Sequence, residues 1–235
     1  MKRSHDTLMQ HSIGGNIQTN AMRLSHNSIQ GHHHSKFGVQ HYADANQVRW
    51  SMSVGCLVDP HSVAARYAAG AVMNRAILGC GVILGEENFL VISDMHMPYH
   101  HRDSFDFLYA LKEKYKCTTI LNVGDLYDHH AGSYHESEPD ALNPEQEYEK
   151  AMEAAYTLQS IFPEMVVTNG NHDKIPQRKL KSVGLPPSML SDYNKLYGTD
   201  KGWVFTDRHT FNSKGGEPMT KLMRLNKRGR WDGKI

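Results

Sequence analysis

Apolar positions along this chain change rhythm near residue 85. Before it they come in short, broken runs. Leu8-Met9 closes the first, ahead of Gln10-His11-Ser12 and the break at Gly14-Gly15. Asn16 predicts a helix cap, with Ile17, Ala21, Met22 and Leu24 on one side of the helix that follows. Ser28-Ile29-Gln30 predicts a short strand running into Gly31 and three histidines. Residues 39–43 and 48–58 read as paired strands around the turn Asp44-Ala45-Asn46. A polar, alanine-rich connection over 59–75 leads to the apolar run from Ala76 to Leu84.

After the seam Gly85-Glu86-Glu87-Asn88 the pattern becomes alternating strand and helix. Phe89-Leu90-Val91-Ile92 is apolar throughout, as a strand buried on both faces must be. A helix starting at Asp103 or Ser104 carries Phe105, Leu108 and Leu111 inward. Residues 118–123 form the next strand. Asn143-Pro144 is a helix start, with Tyr148, Ala151, Met152, Ala155, Leu158 and Ile161 at helical spacing and Pro163 ending it. Residues 165–168 form the third strand. Pro186-Pro187 opens a short helix to about Tyr197, and a strand lies near Trp203-Val204-Phe205. No repeat or long low-complexity segment interrupts this order, and one domain over 1–235 is expected.

Composition narrows the class. A net charge of +1 gives no dominant attraction to nucleic acid or membrane, and no apolar window reaches the length of a span. The three cysteines Cys56, Cys80 and Cys117 form no CxxC pair, so they read as small buried residues of a cytoplasmic protein. The basic end (Lys221, Arg224, Lys227, Arg228, Arg230, Lys234) reads as a solvated surface tail or as a nucleic-acid contact. Sixteen histidines are many for this length, and they cluster beside Gly, Asp or Pro at the ends of apolar runs. That placement favours metal sites over a surface tag.

The chemistry repeats one architecture: a strand ends, a small residue turns the chain, and a ligand-type side chain follows. It occurs at Ser93-Asp94-Met95-His96, Gly124-Asp125, Gly170-Asn171-His172 and Gly31-His32-His33-His34, and more weakly at Gln10-His11. Alternate residues on an extended segment point the same way, so Asp94 pairs with His96 and His32 with His34. Carboxylate, imidazole and amide ligands without thiolate suit Mn, Fe, Zn or Mg.

These motifs resemble the calcineurin-like metallophosphoesterase family. Asp94-Met95-His96 is similar to its Asp-x-His, Gly124-Asp125-Leu126-Tyr127-Asp128 to Gly-Asp-x-x-Asp, Gly170-Asn171-His172-Asp173 to Gly-Asn-His-Asp/Glu, and Gly31-His32-His33-His34 to Gly-His-x-His. The resemblance implies a four-layer α-β-β-α sandwich of α/β class. It implies two divalent metals, with Mn first and Fe, Zn, Mg or Ni as alternatives. One would be held by Asp94, His96 and His34, the other by Asn171, His11 and His32, with Asp125 between them. His172 would be the catalytic imidazole and Asp128 its partner. His5 and His26 compete with His11 for its role. The implied activity is hydrolysis of a phosphoester, because two cations roughly 3.5–4 Å apart neutralise the ester and supply hydroxide near neutral pH. The alternatives are a phosphomonoesterase acting on nucleotide or protein, and a non-catalytic metal-stabilised binding module.

The motif order departs from the family. Residues 1–84 look like its C-terminal half and 86–235 like its N-terminal half, so the chain is circularly permuted or the site is shared between chains. The first few and last fifteen or so residues are then expected at the surface. Protein phosphatases of the family usually carry Arg after Gly-Asp-x-x-Asp. Here His129-His130 stands there, which favours phosphodiesters or small phosphoesters. A nuclease version would use Lys36, Arg102, Lys174, Arg178, Lys179 and Lys181 on the phosphate backbone.

Overall fold

The computed structural model describes residues 2–3, 6–13, 19–69, 76–133 and 139–235. Two six-stranded sheets organise it. The first contains β1 (Lys2–Arg3), β2 (Asp6–Met9), β3 (Asn27–Gln30), β4 (Phe37–Ala43), β5 (Gln47–Val54) and β11 (His209–Asn212). Its path runs β1-β5-β3-β2-β11, with β4 also paired to β5. The second runs β10 (Trp203–Thr206), β9 (Met165–Thr168), β8 (Thr119–Asn122), β7 (Phe89–Ile92), β6 (Gly79–Leu84), β12 (Glu217–Leu222). Strands β7 to β10 are parallel, whereas β6 and β12 run antiparallel to their neighbours.

The sheets pack face to face. Met9, Ile29, Trp50, Met52 and Val54 from the first meet Ile83, Phe89, Val91, Leu121 and Val123 from the second in one buried cluster. The alternate residues Leu90, Ile92 and Ile120 face a larger cluster under α3 (Ser104–Tyr115) and α4 (Pro144–Ile161). That double burial explains why β7 is apolar at every position. On the first sheet α1 (Asn20–Leu24) lies against β3 and β5, completing an α/β arrangement with helices outside two sheets.

Local rules account for most elements. Asn143 accepts the Gln146 N–H at 2.9 Å while the Gln146 side chain accepts the Asn143 N–H, a capping box that starts α4. Asp44 Oδ1 accepts the N–H groups of Asn46 and Gln47, fixing the β4–β5 hairpin. The Gly85–Asn88 seam is the turn of the β6–β7 hairpin, where Asn88 Oδ1 accepts the Gly85 N–H. No described helix is long and apolar enough to cross a membrane.

Several expectations change. Residues 14–18, which hold Asn16 and Ile17, lie outside the described residues. Of the predicted inward face, Ala21 is buried but Met22 is exposed. The connection over 59–75 contains a helix, α2 (Val63–Ala69). In α3 the buried aromatic is Phe107, whereas Phe105 stacks on His100. Helix α5 (Ile175–Ser182), strands β11 and β12, and the break between a 3-10 turn (Pro187–Met189) and α6 (Tyr193–Tyr197) were not foreseen.

The basic end lies at the surface but is anchored. Asp103, 4% exposed at the start of α3, accepts N–H groups from Nε and Nη2 of Arg230 and, at 2.8 Å, the Trp231 N–H. Trp231 packs edge-on against Phe107, and His101 Nε2 donates to the Gly229 carbonyl at 3.1 Å. A bidentate arginine held by a buried carboxylate is a geometric lock. Asp103→Ala is therefore expected to release residues 224–235. Limited proteolysis should cut there first in the variant and leave the same bonds intact in the parent.

Candidate metal centre

The parallel strands deliver the motifs to one rim. The segments after β7, β8 and β9 carry Asp94-His96, Asp125-Asp128 and Asn171-His172, and those after β2 and β3 carry His11 and His32-His34. The two sheets thus meet at a shared edge, where ligand sites in α/β folds are built.

The backbone there is unusual. His32, Asp94, His96, Asp125 and His129 all have φ between 47° and 68°, the left-handed region that non-glycine residues rarely adopt. Such strain persists only where the surroundings over-determine it, and it gathers at functional sites. Close approach also demands two glycines. A Cβ at Gly170 would lie 2.0 Å from Asp125 Oδ1, and one at Gly31 2.0 Å from Ser93 Oγ and 2.5 Å from Asp94 Oδ2.

The structure brings together the ligand-type residues expected from the motifs. His11 Nε2 lies 3.1 Å from Asp125 Oδ2 and 3.2 Å from Asp94 Oδ1. His34 Nε2 lies 3.3 Å from Asp94 Oδ1 and 3.2 Å from His96 Nε2. Among the described residues three groups have ligand atoms within 4.8 Å of one another and could hold a metal ion: His11-His32-Asp125, His34-Asp94-His96 and His96-Asp128-His172. His26 precedes β3, at the end of that strand away from His32, and belongs to none of these groups. His5 lies outside the described residues.

Charge balance points the same way. Asp94, Asp125 and Asp128 are all buried. Burial would raise their pKa values, but facing histidines outweigh it: Asp94 is held well below the carboxylate range and Asp125 is drawn to about 2. His11 moves the other way, because Asp125 and Asp94 overcome its own burial. Three buried anions crowded together call for positive charge. Asn171 Oδ1 is buried with no hydrogen-bond partner, and Asn171 lies close enough to His32 to act on its titration. That buried amide oxygen near His32, with imidazoles and carboxylates and no thiolate, makes a donor set that divalent cations fit.

Asp128 does more than the motif suggested. Its Oδ1 lies 2.5 Å from His96 Nδ1 and 3.2 Å from His172 Nδ1, so one carboxylate serves two imidazoles. His172 Nδ1 also lies 2.8 Å from the Asp128 carbonyl oxygen. A carbonyl only accepts, so Nδ1 carries the proton. Burial lowers the His172 pKa, but the Asp128 bond and the Asp125 charge carry it up to about 9.

Sequence reasoning missed two supports. Asp173 accepts the N–H groups of Tyr127 at 2.9 Å and Gly170 at 2.7 Å, stapling two motif loops together. Its acidic side chain within the fourth motif was the available signal. Glu147 reaches up from α4 and accepts the N–H groups of His130 and Ala131 at 2.6 and 2.7 Å. Nothing in the sequence marked it. Burial pushes its carboxyl up to about 7, against those two donors. With a native pKa above the unfolded value, this group's stabilisation is full below about 4.5 and is lost as pH rises to about 7. The loss is about 3 kcal/mol. Chemical denaturation of Glu147→Gln at a series of pH values should lack that decline.

A family model for calcineurin-like phosphoesterases matches residues 87–231, the span that holds Asp94, His96, Asp125, Asp128, Asn171 and His172. The chain belongs to this family. No curated protein and no solved structure matches it. His11, His32 and His34 lie outside the matched span, yet the fold places them against its carboxylates. His32 donates its backbone N–H to both Asp94 oxygens, at 3.1 and 2.9 Å, tying the histidine loop to the Asp-x-His loop. Membership of this family implies metal-dependent hydrolysis of a phosphoester. Where the family's protein phosphatases carry arginine, this member has His129, which burial holds neutral with a pKa near 4 and whose Nε2 is 2.6 Å from the Tyr197 hydroxyl.

Proposed function

We propose that this phosphoesterase cleaves phosphodiesters at a binuclear centre built from both parts of the chain. Asp94, His96 and His34 hold one divalent ion, Asn171, His11 and His32 hold the other, and Asp125 lies between them. The observation that carries the reading is Asp125, whose Oδ2 lies 3.1 Å from His11 Nε2 and 4.0 Å from His96 Nε2 and whose Oδ1 accepts the His172 backbone N–H at 2.8 Å. Two bound cations would neutralise the phosphate and lower the pKa of a water at the site. Mn is the first candidate for these nitrogen and oxygen ligands, with Fe, Zn, Mg and Ni also compatible.

The chain's own residues supply the proton. His172, protonated below about pH 9, gives the proton of its Nε2 to the departing oxygen. Asp128 fixes the ring through Nδ1 and stabilises the charged form. A monoester dianion gains from an extra fixed cation, and a neutral His129 turned toward Tyr197 does not provide one. That supports a diester, with its single charge, over a phosphoprotein.

Residues 1–235 form one domain in this reading, permuted so that the β6–β7 hairpin joins what are the two ends of the family's usual order. Three buried free cysteines support a reducing, cytoplasmic home. A nucleic-acid strand remains a candidate substrate: Arg178 is exposed at the rim and donates to the Asn171 carbonyl at 2.9 Å. Metal-stripped protein resupplied with Mn should hydrolyse bis-p-nitrophenyl phosphate faster than p-nitrophenyl phosphate. The reverse preference would replace the diesterase reading with a monoesterase one. Metal retention without turnover of either ester would replace both with a binding module.

A further inference from the structure

The basic end of the chain folds into a tight hairpin. Leu225 and Trp231 pair antiparallel, the Asn226 N–H donates to the Arg230 carbonyl at 2.7 Å, and the Gly229 N–H returns to the Asn226 carbonyl at 3.0 Å. Asn226 Oδ1 also accepts the N–H groups of Arg228 at 2.8 Å and Arg230 at 3.2 Å, so one amide holds the tip from within.

The hairpin is fixed to the rim that carries the metal centre. Three hydrogen bonds connect them: the Leu57 N–H donates to the Asp94 carbonyl at 3.0 Å, the His101 N–H to the Leu57 carbonyl at 2.7 Å, and His101 Nε2 to the Gly229 carbonyl at 3.1 Å. Asp103, which locks Arg230, closes the same loop that begins at Asp94.

What the hairpin shows to solvent is positive charge. Lys227 and Arg228 at its tip, Arg224 before it and Arg102 beside His101 are exposed. Among the described residues none of these four side chains has an ion-pair or hydrogen-bond partner. Arg230 differs, being neutralised by Asp103 with Asp106 nearby. Asp232 is the only acid from 221 to 235, and its Oδ1 accepts the Lys234 N–H. Like charges repel, so cations gathered on a locked turn are unfavourable until an anion neutralises them. The net charge of +1 makes this a local feature and not a general excess. Trp231 packs on Phe107, so it is not spread out as a stacking platform for bases. A membrane surface would call for an apolar wedge as well, and Leu222 and Leu225 are each less than half exposed. Cations without either feature suit a phosphate backbone.

We propose that this hairpin binds the phosphodiester backbone of a nucleic-acid strand. The choice of polymer rests on the phosphodiesterase reading, but the contact itself needs neither metal nor turnover.

The test is fluorescence anisotropy of a labelled single-stranded DNA oligonucleotide with the full chain in EDTA, over a range of salt concentrations. The parent is compared with Lys227→Gln/Arg228→Gln. A charge-matched control, Lys116→Gln/Lys201→Gln, changes exposed lysines that precede β8 and β10 at the opposite rim. In the tip variant the slope of log K against log salt is expected to become shallower by about 1.4, at roughly 0.7 per lost phosphate contact, and affinity at about 0.05 M salt to fall at least about 10-fold. The control should keep the parent's slope. No binding by the parent at low salt, a tip variant that binds like the parent, or an equal loss in the control overturns the proposal. Loss of binding to phosphatidylserine vesicles with oligonucleotide binding intact overturns it in favour of a membrane surface. Hairpin-dependent binding by a protein that hydrolyses no diester upholds the proposal and fails the diesterase reading. Diester hydrolysis without hairpin-dependent binding does the reverse.

Discussion

Asp125→Ala is expected to abolish phosphoester hydrolysis, with kcat/KM falling more than about 10³-fold. That exceeds the 10- to 100-fold typical of groups that only support ligands. The reason is position. Asp125 Oδ2 lies 3.1 Å from His11, and its Oδ1 takes the backbone N–H of His172. Gly170 has no side chain because a Cβ there would overlap Asp125 Oδ1. One carboxylate therefore touches both the ligand groups and the loop of the proposed acid. Asp125→Asn keeps the shape and removes the charge. If it also loses turnover, and its melting temperature stays near that of the parent, the charge and not the packing is responsible. Steady-state kinetics on bis-p-nitrophenyl phosphate with Mn measures this. Activity of Asp125→Asn within tenfold of the parent would remove Asp125 from the centre.

Asp128→Asn is expected to lower kcat about 10²- to 10⁴-fold, the range of a lost acid–base function. Its carboxylate holds His96 at 2.5 Å and His172 at 3.2 Å. The pH profile separates this role from a packing defect. In the parent, burial lowers the His172 pKa while Asp128 and Asp125 raise it to about 9, so activity that needs the protonated ring declines above that pH. Without the Asp128 charge the burial effect gains ground, so the alkaline limb must move to lower pH. A profile scaled down with its alkaline limb in place would show that Asp128 acts only through His96 or through packing.

The parts of the fold that were legible share one cause. Strands β7, β8 and β9 are buried on both faces, so β7 is apolar throughout, β8 and β9 carry an apolar pair at their centres, and turn residues mark their ends. Helix α4 announced itself through Asn143-Pro144. The missed elements lack such marks. Helix α5 reads Ile-Pro-Gln-Arg-Lys-Leu-Lys-Ser, and only Ile175 is buried. Strand β12 contains Pro218 and sits at a sheet edge, where proline is tolerated but disguises a strand. Strand β11, also at an edge, is four residues long and pairs with β2 from the other end of the chain.

The site was legible for a different reason. Metal ligands must be polar residues at strand ends, and the turns before them need glycine or serine, so each loop left a short signature. What stood behind the ligands left little. Glu147 is one glutamate among several on a surface-facing helix, and only the fold shows it beneath His130 and Ala131. The second partner of Asp128 was hidden because His96 and Asp128 lie on different loops and meet only in three dimensions.

The central claim is that histidines outside the matched span complete a two-metal centre with carboxylates inside it. Metal analysis of the Mn-loaded protein, wild type beside His11→Ala, tests it most directly. The account predicts two ions per chain in the wild type and one in the variant, with the fold retained. One ion per chain in both proteins, or two in both, would contradict it.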